Sequence, residues 1–239
     1  MQIAEDFNYS QGFGAVNLPI EHPIVAILGG TGKEGTSLAL RWAKAGYKIL
    51  IGSRQLDKAK LAADRINHQL AISSVIGLTN PDAAKQAELC VLTVIYSAHR
   101  QALESVRDVL HGKILVDTTS RVDFRDPRPP VPPCAAQEAQ DLLGQSVRVV
   151  AAFQNIPANL LIRNIGQAIE ADVMVCSDDF PAAQQVILLA RAAGMRGYYA
   201  GVLENAIVVE DLTSLLISLN KHYGVKNASI RVVGVPGER

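Results

Sequence analysis

Disulfides, net charge and catalytic constellations are all scarce in this chain, and each scarcity excludes something. Its 239 residues include three cysteines, Cys90, Cys134 and Cys176, far apart and odd in number. Two of them sit inside apolar runs that read as buried strands. Neither a disulfide framework nor a metal site is expected, and a reducing cytoplasm is the simplest home. The 23 Lys and Arg are balanced by 23 Asp and Glu. That balance leaves no global field for nucleic acid or an anionic membrane surface. No apolar run reaches the ~18 residues that cross a bilayer. The first twenty residues lack a basic start followed by an apolar stretch, which argues against a secretory signal. They read as a leader in which Phe7, Tyr9 and Phe13 could pack down. The five histidines, His22, His68, His99, His111 and His222, are scattered and read as surface or capping residues. There is no Ser/His/Asp set, no H-x-x-x-H, and no lysine or tyrosine set against a serine. Asp178 and Asp179, just ahead of Pro181, read as helix caps rather than as an acid/base pair.

What is present is alternation. Apolar runs at 24–28, 48–52, 74–78, 89–94 and 113–117 alternate with helical patterns, among them a stretch before Gly46 and one over 55–70. Asn80 followed by Pro81 reads as a cap and first helical position. Continuous apolar strands separated by helices mean a parallel sheet covered on both faces. The segment 124–134 then packs five of the eleven prolines together, which excludes a helix or interior strand and predicts a surface connection. A helix over 135–143, strands near 147–153 and 172–177, a helix over 181–194, a short strand and a last helix from about 205 to 220 follow. The fold class is therefore α/β, a Rossmann-type doubly wound, mainly parallel sheet with a small C-terminal α/β extension. The organisation reads as a leader (1–22), a dinucleotide-binding domain (23–150) and an extension (151–239) that continues the sheet and serves acceptor binding and dimerisation.

The chemistry starts at "GGTGKEG". Gly30, Gly32 and Gly35 fit G-x-G-x-x-G directly between a strand and a helix. The first glycine permits the tight turn, the second lets backbone amides approach a pyrophosphate, and the third packs helix on strand. The helix N-terminus then offers its orphan N–H groups to the anion. An NAD site places an acid about twenty residues on, to accept from the ribose 2′-OH. This chain has Ser53, Arg54 and, one turn later, Lys58. A hydroxyl, a guanidinium fork and an ammonium suit a 2′-phosphate, so the cofactor is NADP(H). Arg54 and Lys58, four apart, share a face if the helix begins near residue 54.

"VAILGGTGKEGTSLALRWAKAGYKILIGSR", "NPDAAKQAELCVLTV", "AAFQNIPA", "VMVCSDD" and "YGVKNASIRVVG" together resemble the NADPH-dependent reductases of the deazaflavin coenzyme F420, over about residues 23–235. The resemblance implies a homodimeric oxidoreductase that moves a hydride between NADP(H) and coenzyme F420. By position it implies that Thr31, Gly32, Lys33, Glu34, Ser53, Arg54 and Lys58 hold NADP, with Val94 and Ala158 beside its ribose and nicotinamide. The chain departs from the archaeal pattern with Gln154 in place of histidine, and with Ile95 and Tyr96 in place of proline and an aromatic. Gln154 and Ile156 are positioning candidates: the first would orient the acceptor ring, and the second would press on the nicotinamide. Lys221, Lys226 and Arg231 are candidates by location for the acceptor's phosphate and carboxylates. Small-molecule coenzymes are the partners, with no nucleic acid and no membrane. Reduction of an ordinary flavin or another small acceptor, and NADP(H) binding without turnover, stay open as alternatives.

Overall fold

A computed structural model describes residues 22–123, 125–163 and 165–235. The leader reading, with Phe7, Tyr9 and Phe13, lies outside the described residues. Five strands and four α-helices alternate through the first part: β1 (Val25–Leu28), α1 (Lys33–Lys44), β2 (Ile49–Ser53), α2 (Leu56–Leu70), β3 (Val75–Thr79), α3 (Asn80–Gln86), β4 (Leu89–Leu92), α4 (Tyr96–Val106) and β5 (Ile114–Asp117). After the proline-rich stretch come α5 (Ala135–Leu143) and β6 (Arg148–Ala151). The six strands are parallel in the order 3-2-1-4-5-6. That order reverses between β1 and β4, the crevice where such sheets bind ligands. Val25 and Ile27 of β1 face one apolar layer while Ala26 and Leu28 face the other, so the strand is buried on both sides.

Two local details differ from the pattern reading. Helix α2 begins at Leu56, so Arg54 precedes the helix instead of sharing a face with Lys58. Ser53 fixes that entry by accepting from the Gln55 N–H at 3.1 Å. In α3 the cap is Thr79, one residue earlier than expected, and its hydroxyl accepts from the Asp82 N–H. Asn80 is freed for a different task, described below.

The last third contains α6 (Ala158–Leu161), β7 (Asp172–Val175), α7 (Phe180–Ala192), β8 (Arg196–Tyr199) and α8 (Ala206–His222). Only β6 extends the main sheet. β7 and β8 pair with each other in a two-stranded parallel sheet, joined to β6 by one antiparallel bridge between Ala151 and Cys176. Asp179 caps α7 as expected, accepting from the Ala182 N–H at 2.8 Å. Asp178 instead accepts from the Leu203 N–H at 3.0 Å.

Helix α1 docks the two parts together. Trp42 Nε1 donates to Leu189 O at 2.8 Å, and its ring meets Phe153 edge-on. The buried Arg41 guanidinium donates to the carbonyls of Leu161, Arg163, Gln167 and Ala193. All four are uncharged acceptors, and burial lowers the Arg41 pKa. The proline-rich stretch is a surface strap without helix or strand, tied to α8 by Ser214 Oγ to Arg128 O and Lys221 Nζ to Arg125 O.

Candidate functional site

The turn from β1 to α1 is shaped by close approach. Gly29 has φ +69°, and a Cβ there would lie 2.4 Å from Val94 Cγ1. The positive φ of the turn thus falls one residue before Gly30, where the motif reading had put the tight turn. At Gly35 a Cβ would come within 2.7 Å of both Gly30 Cα and Thr93 Oγ1, which is the helix–strand packing expected of the third glycine. Gly32 is different. It is the N-cap of α1, and a Cβ there would meet nothing within 4 Å. No side chain caps the first-turn N–H groups of α1, which lack intrahelical partners, and Gly32 adjoins the pocket described next. Asn80, buried at the crevice, braces this loop by accepting from the Gly29 N–H at 3.0 Å.

Beside the loop lies a pocket of about 630 Å³ whose lining includes Thr31, Gly32, Ser53, Arg54, Lys58 and Val94. Six of the residues expected to hold the dinucleotide are thereby brought together. Among the described residues that line it there is no Asp, Glu or His, and the glycines, hydroxyls and two cations present suit the binding of an anion. Arg54 and Lys58 are exposed, and neither has an ion-pair partner among the described residues. An open backbone cradle with two uncompensated cations at one end suits an extended polyanion that carries an additional phosphate.

Of the other candidates, Gly30 sits in the turn behind the pocket. Lys33 and Glu34 open α1 and meet different neighbours. Lys33 Nζ reaches Asn159 Oδ1 on α6. Glu34 is half-buried, and its carboxyl is raised to about 7 by that burial; Thr118 lowers it and the charge of Asp117 raises it further. The loop after β6 carries the remainder. The chain leaves the sheet through Phe153 at φ +74°, a costly conformation for a buried aromatic. Gln154 is 7% exposed; its Nε2 donates to Asp117 O at 3.0 Å, while its Oε1 is buried without a partner. Ile156 is packed into the apolar core beside Trp42 and Phe153, and half-buried Ala158 opens α6.

Pattern reading missed a polar cluster beneath this edge. His99, read as a surface or capping residue, is buried, with Nε2 2.6 Å from Asp117 Oδ2. Burial would lower its pKa, but the hydrogen bond and charge of Asp117, aided by Glu138 and Glu210, raise it overall. His99, Leu103 and Val106 form the buried face of α4, and their helical spacing was the available signal. Asp117, ending an apolar strand, was a second. Glu210 of α8 is fully buried and accepts from the N–H groups of Ala135 and Arg121. Burial raises it to about 7 against those two bonds and the Arg121 charge. Arg121 also pairs with Glu138 at 3.0 Å and lies over the Tyr96 ring. Lys221 and Arg231 bond to Arg125 O and Glu170, and only Lys226 of that trio adjoins α6. All three cysteines are free and buried, their thiols pushed up to about 12, 11 and 12. Among the described residues no group of His, Cys, Asp and Glu could hold a metal ion, and no helix is long and apolar enough to cross a membrane.

Comparison with known proteins finds relatives of one family that cover nearly the whole chain. The family model described as "NADP oxidoreductase coenzyme F420-dependent" matches residues 24–121. An F420-dependent NADP reductase of Methanothermobacter thermautotrophicus is 39% identical over 225 residues, covering 89% of this chain and 95% of that protein. One from Methanocaldococcus jannaschii is 36% identical, covering 88% and 98%. The crystal structure of a putative F420-dependent NADP reductase from Arthrobacter sp. FB24 superimposes with a TM-score of 0.74 at 26% identity, over 89% of this chain and all of that one.

Proposed function

The chain belongs to the F420-dependent NADP reductases, and from that premise we propose that it transfers a hydride between NADP(H) and coenzyme F420. The observation that carries this reading is identity of 39% across 89% of the chain, which spans the phosphate loop and the acceptor loop alike. NADPH, when bound, supplies a hydride from its nicotinamide and the deazaflavin ring accepts it.

The protein's part is holding and drying. The open first turn of α1, from Thr31 to Glu34, receives the pyrophosphate, and Ser53, Arg54 and Lys58 receive the 2′-phosphate. Val94 and Ala158 flank the ribose and nicotinamide. Gln154 Oε1, a buried acceptor without a partner, is available to orient a donor on one of the two rings. Hydride transfer between conjugated rings requires contact near ~3–3.5 Å and exclusion of water rather than a catalytic acid in the pocket. The absence of Asp, Glu and His from the pocket lining accords with that.

Two further parts of the reading concern state and place. The outer face of α8 exposes Val208, Leu215, Leu219 and Tyr223, and a second copy of the chain covering it would make the homodimer. Three buried, unpaired thiols suit a reducing cytoplasm. The test is spectrophotometric: purified protein with NADPH is offered F420, and flavin mononucleotide in parallel. Bleaching of the deazaflavin band alone supports the assignment. Turnover of the flavin alone, or tight NADPH binding without any turnover, overturns it.

A further inference from the structure

A second pocket, again of about 630 Å³, lies along the lower part of α1 and takes no part in the site described above. Two segments lead to it from the mouth of the dinucleotide crevice. Residues 158–163 and 165–170 descend along α1: Asn159 meets Lys33 in the first turn, Arg41 gathers Leu161 O, Arg163 O and Gln167 O, and Gly166 lies beside Lys44 at the end. Residues 226–231 run beside them. Asn159 Nδ2 is 3.5 Å from Lys226 O, and Asn227, with its amide oriented to satisfy both neighbours, accepts from Arg163 Nη1 at 3.0 Å. Farther down, Ser229 Oγ donates to Glu170 O, and Arg231 reaches the Glu170 carboxylate at 3.4 Å.

The charge along this path is one-sided. Five cations and two carboxylates line the lower pocket. Asp172 is consumed by a two-pronged bond from Arg196 at 2.9 and 2.6 Å, and Arg41 by its four carbonyls. Glu170 is 87% exposed, so its longer pair with Arg231 is weak and easily exchanged for another anion. Lys226, Arg163 and Lys44 have no carboxylate partner among the described residues. Cations thus outnumber carboxylates from the crevice mouth to the pocket, and among the described residues Lys226, Arg163 and Lys44 are the members of the track without a carboxylate partner.

We propose that Lys226, Arg163, Lys44 and Arg231 form a cationic track for the phosphate and carboxylate groups of the acceptor's tail. The proposal rests on the reading that the acceptor is the deazaflavin coenzyme, whose ring bears a phosphate followed by glutamates. The eleven helical rises from Lys33 to Lys44 span roughly 16 Å at ~1.5 Å each, which about five extended residues would cover. Tail length should therefore matter until the lower pocket is reached, and not beyond it.

The test compares F420 with the deazaflavin core that lacks phosphate and glutamates. Dissociation constants come from quenching of deazaflavin fluorescence in the NADP+-loaded protein, so the readout does not depend on turnover. The native protein is expected to bind tailed coenzyme about tenfold or more tightly than the core, with the difference shrinking as salt is raised. Lys226→Ala with Arg163→Ala should remove about tenfold for the tailed form and less than twofold for the core. Lys44→Glu should weaken only coenzymes with long tails. Equal losses for tailed and tail-less forms, or an unchanged ratio in folded variants with native melting temperatures, overturn the track. Binding that shows the tail preference without any hydride transfer would sink the assigned reaction and leave the track standing.

Discussion

On the proposed reading, Arg54 carries the cofactor choice. It stands at the end of β2 beside Ser53, exposed and without an ion-pair partner among the described residues, where an NAD site would present a carboxylate. Arg54→Ala should weaken NADPH by about 1.5–3 kcal/mol and leave NADH nearly unchanged, with the gap narrowing at high salt. Titration of both cofactors checks this; equal losses would place the 2′-phosphate elsewhere. Gln154 poses a sharper alternative, because its two ends do different things. Its amide nitrogen braces Asp117 O, while its oxygen has no partner. Gln154→Ala should lower the melting temperature through the lost brace, by about 1 kcal/mol of stability. If the oxygen also orients a ring, kcat falls about ten- to a hundredfold while the pH profile keeps its shape. Steady-state kinetics beside a thermal melt separates the roles, and an unchanged kcat with a lowered melt would leave Gln154 a brace alone.

At the scale of elements, what was legible and what was not divides along sequence distance. The five strands and the phosphate loop were readable because a sheet covered on both faces demands continuous apolar runs, and glycines mark where backbones meet. The His99–Asp117 pair was not read, since it joins an α4 side chain to the end of β5. The separate β7–β8 sheet was hidden for the same reason: an apolar run says that it is buried, not which edge it pairs with. Glu210 was also unread, a carboxylate in the middle of an apolar helix that ties α8 to the N-terminus of α5 and to Arg121. It makes a pH prediction. Its carboxyl ionises near the ordinary value of 4.5 when unfolded and at about 7 when folded, so between those values the folded state binds more protons. The associated stability is complete below pH 4.5 and is lost as pH rises through 7, by up to about 3 kcal/mol. The raised values of Glu34 and His99 act in the same direction. Glu210→Gln cannot ionise, so its melting temperature should fall less between pH 5 and pH 8 than that of the native protein. An equal fall in both proteins would show that Glu210 is not the titrating group.

For the whole molecule, α8 is the element with two committed faces. Its inner face is fixed by Glu210, Thr213 and Ser214, which bond to α5, to the acceptor loop and to the proline strap. Its outer face presents Val208, Leu215, Leu219 and Tyr223, exposed to 64%, 57%, 38% and 69%, at spacings of seven, four and four that keep them on one side of the helix. An exposed apolar stripe of this kind is a candidate association surface. If a second copy covers it, each subunit's acceptor loop is stiffened through Thr213, whose hydroxyl donates to Gln154 O at 3.0 Å. Dimerisation would then support the site without lending it a side chain. Leu215→Glu places a charge at the centre of the stripe while leaving the inner face intact. Light scattering should show a dimer for the native protein and a monomer for the variant, with NADPH affinity changed less than the KM for the acceptor. A variant that stays dimeric would move the interface off α8, and a native monomer would remove the dimer altogether.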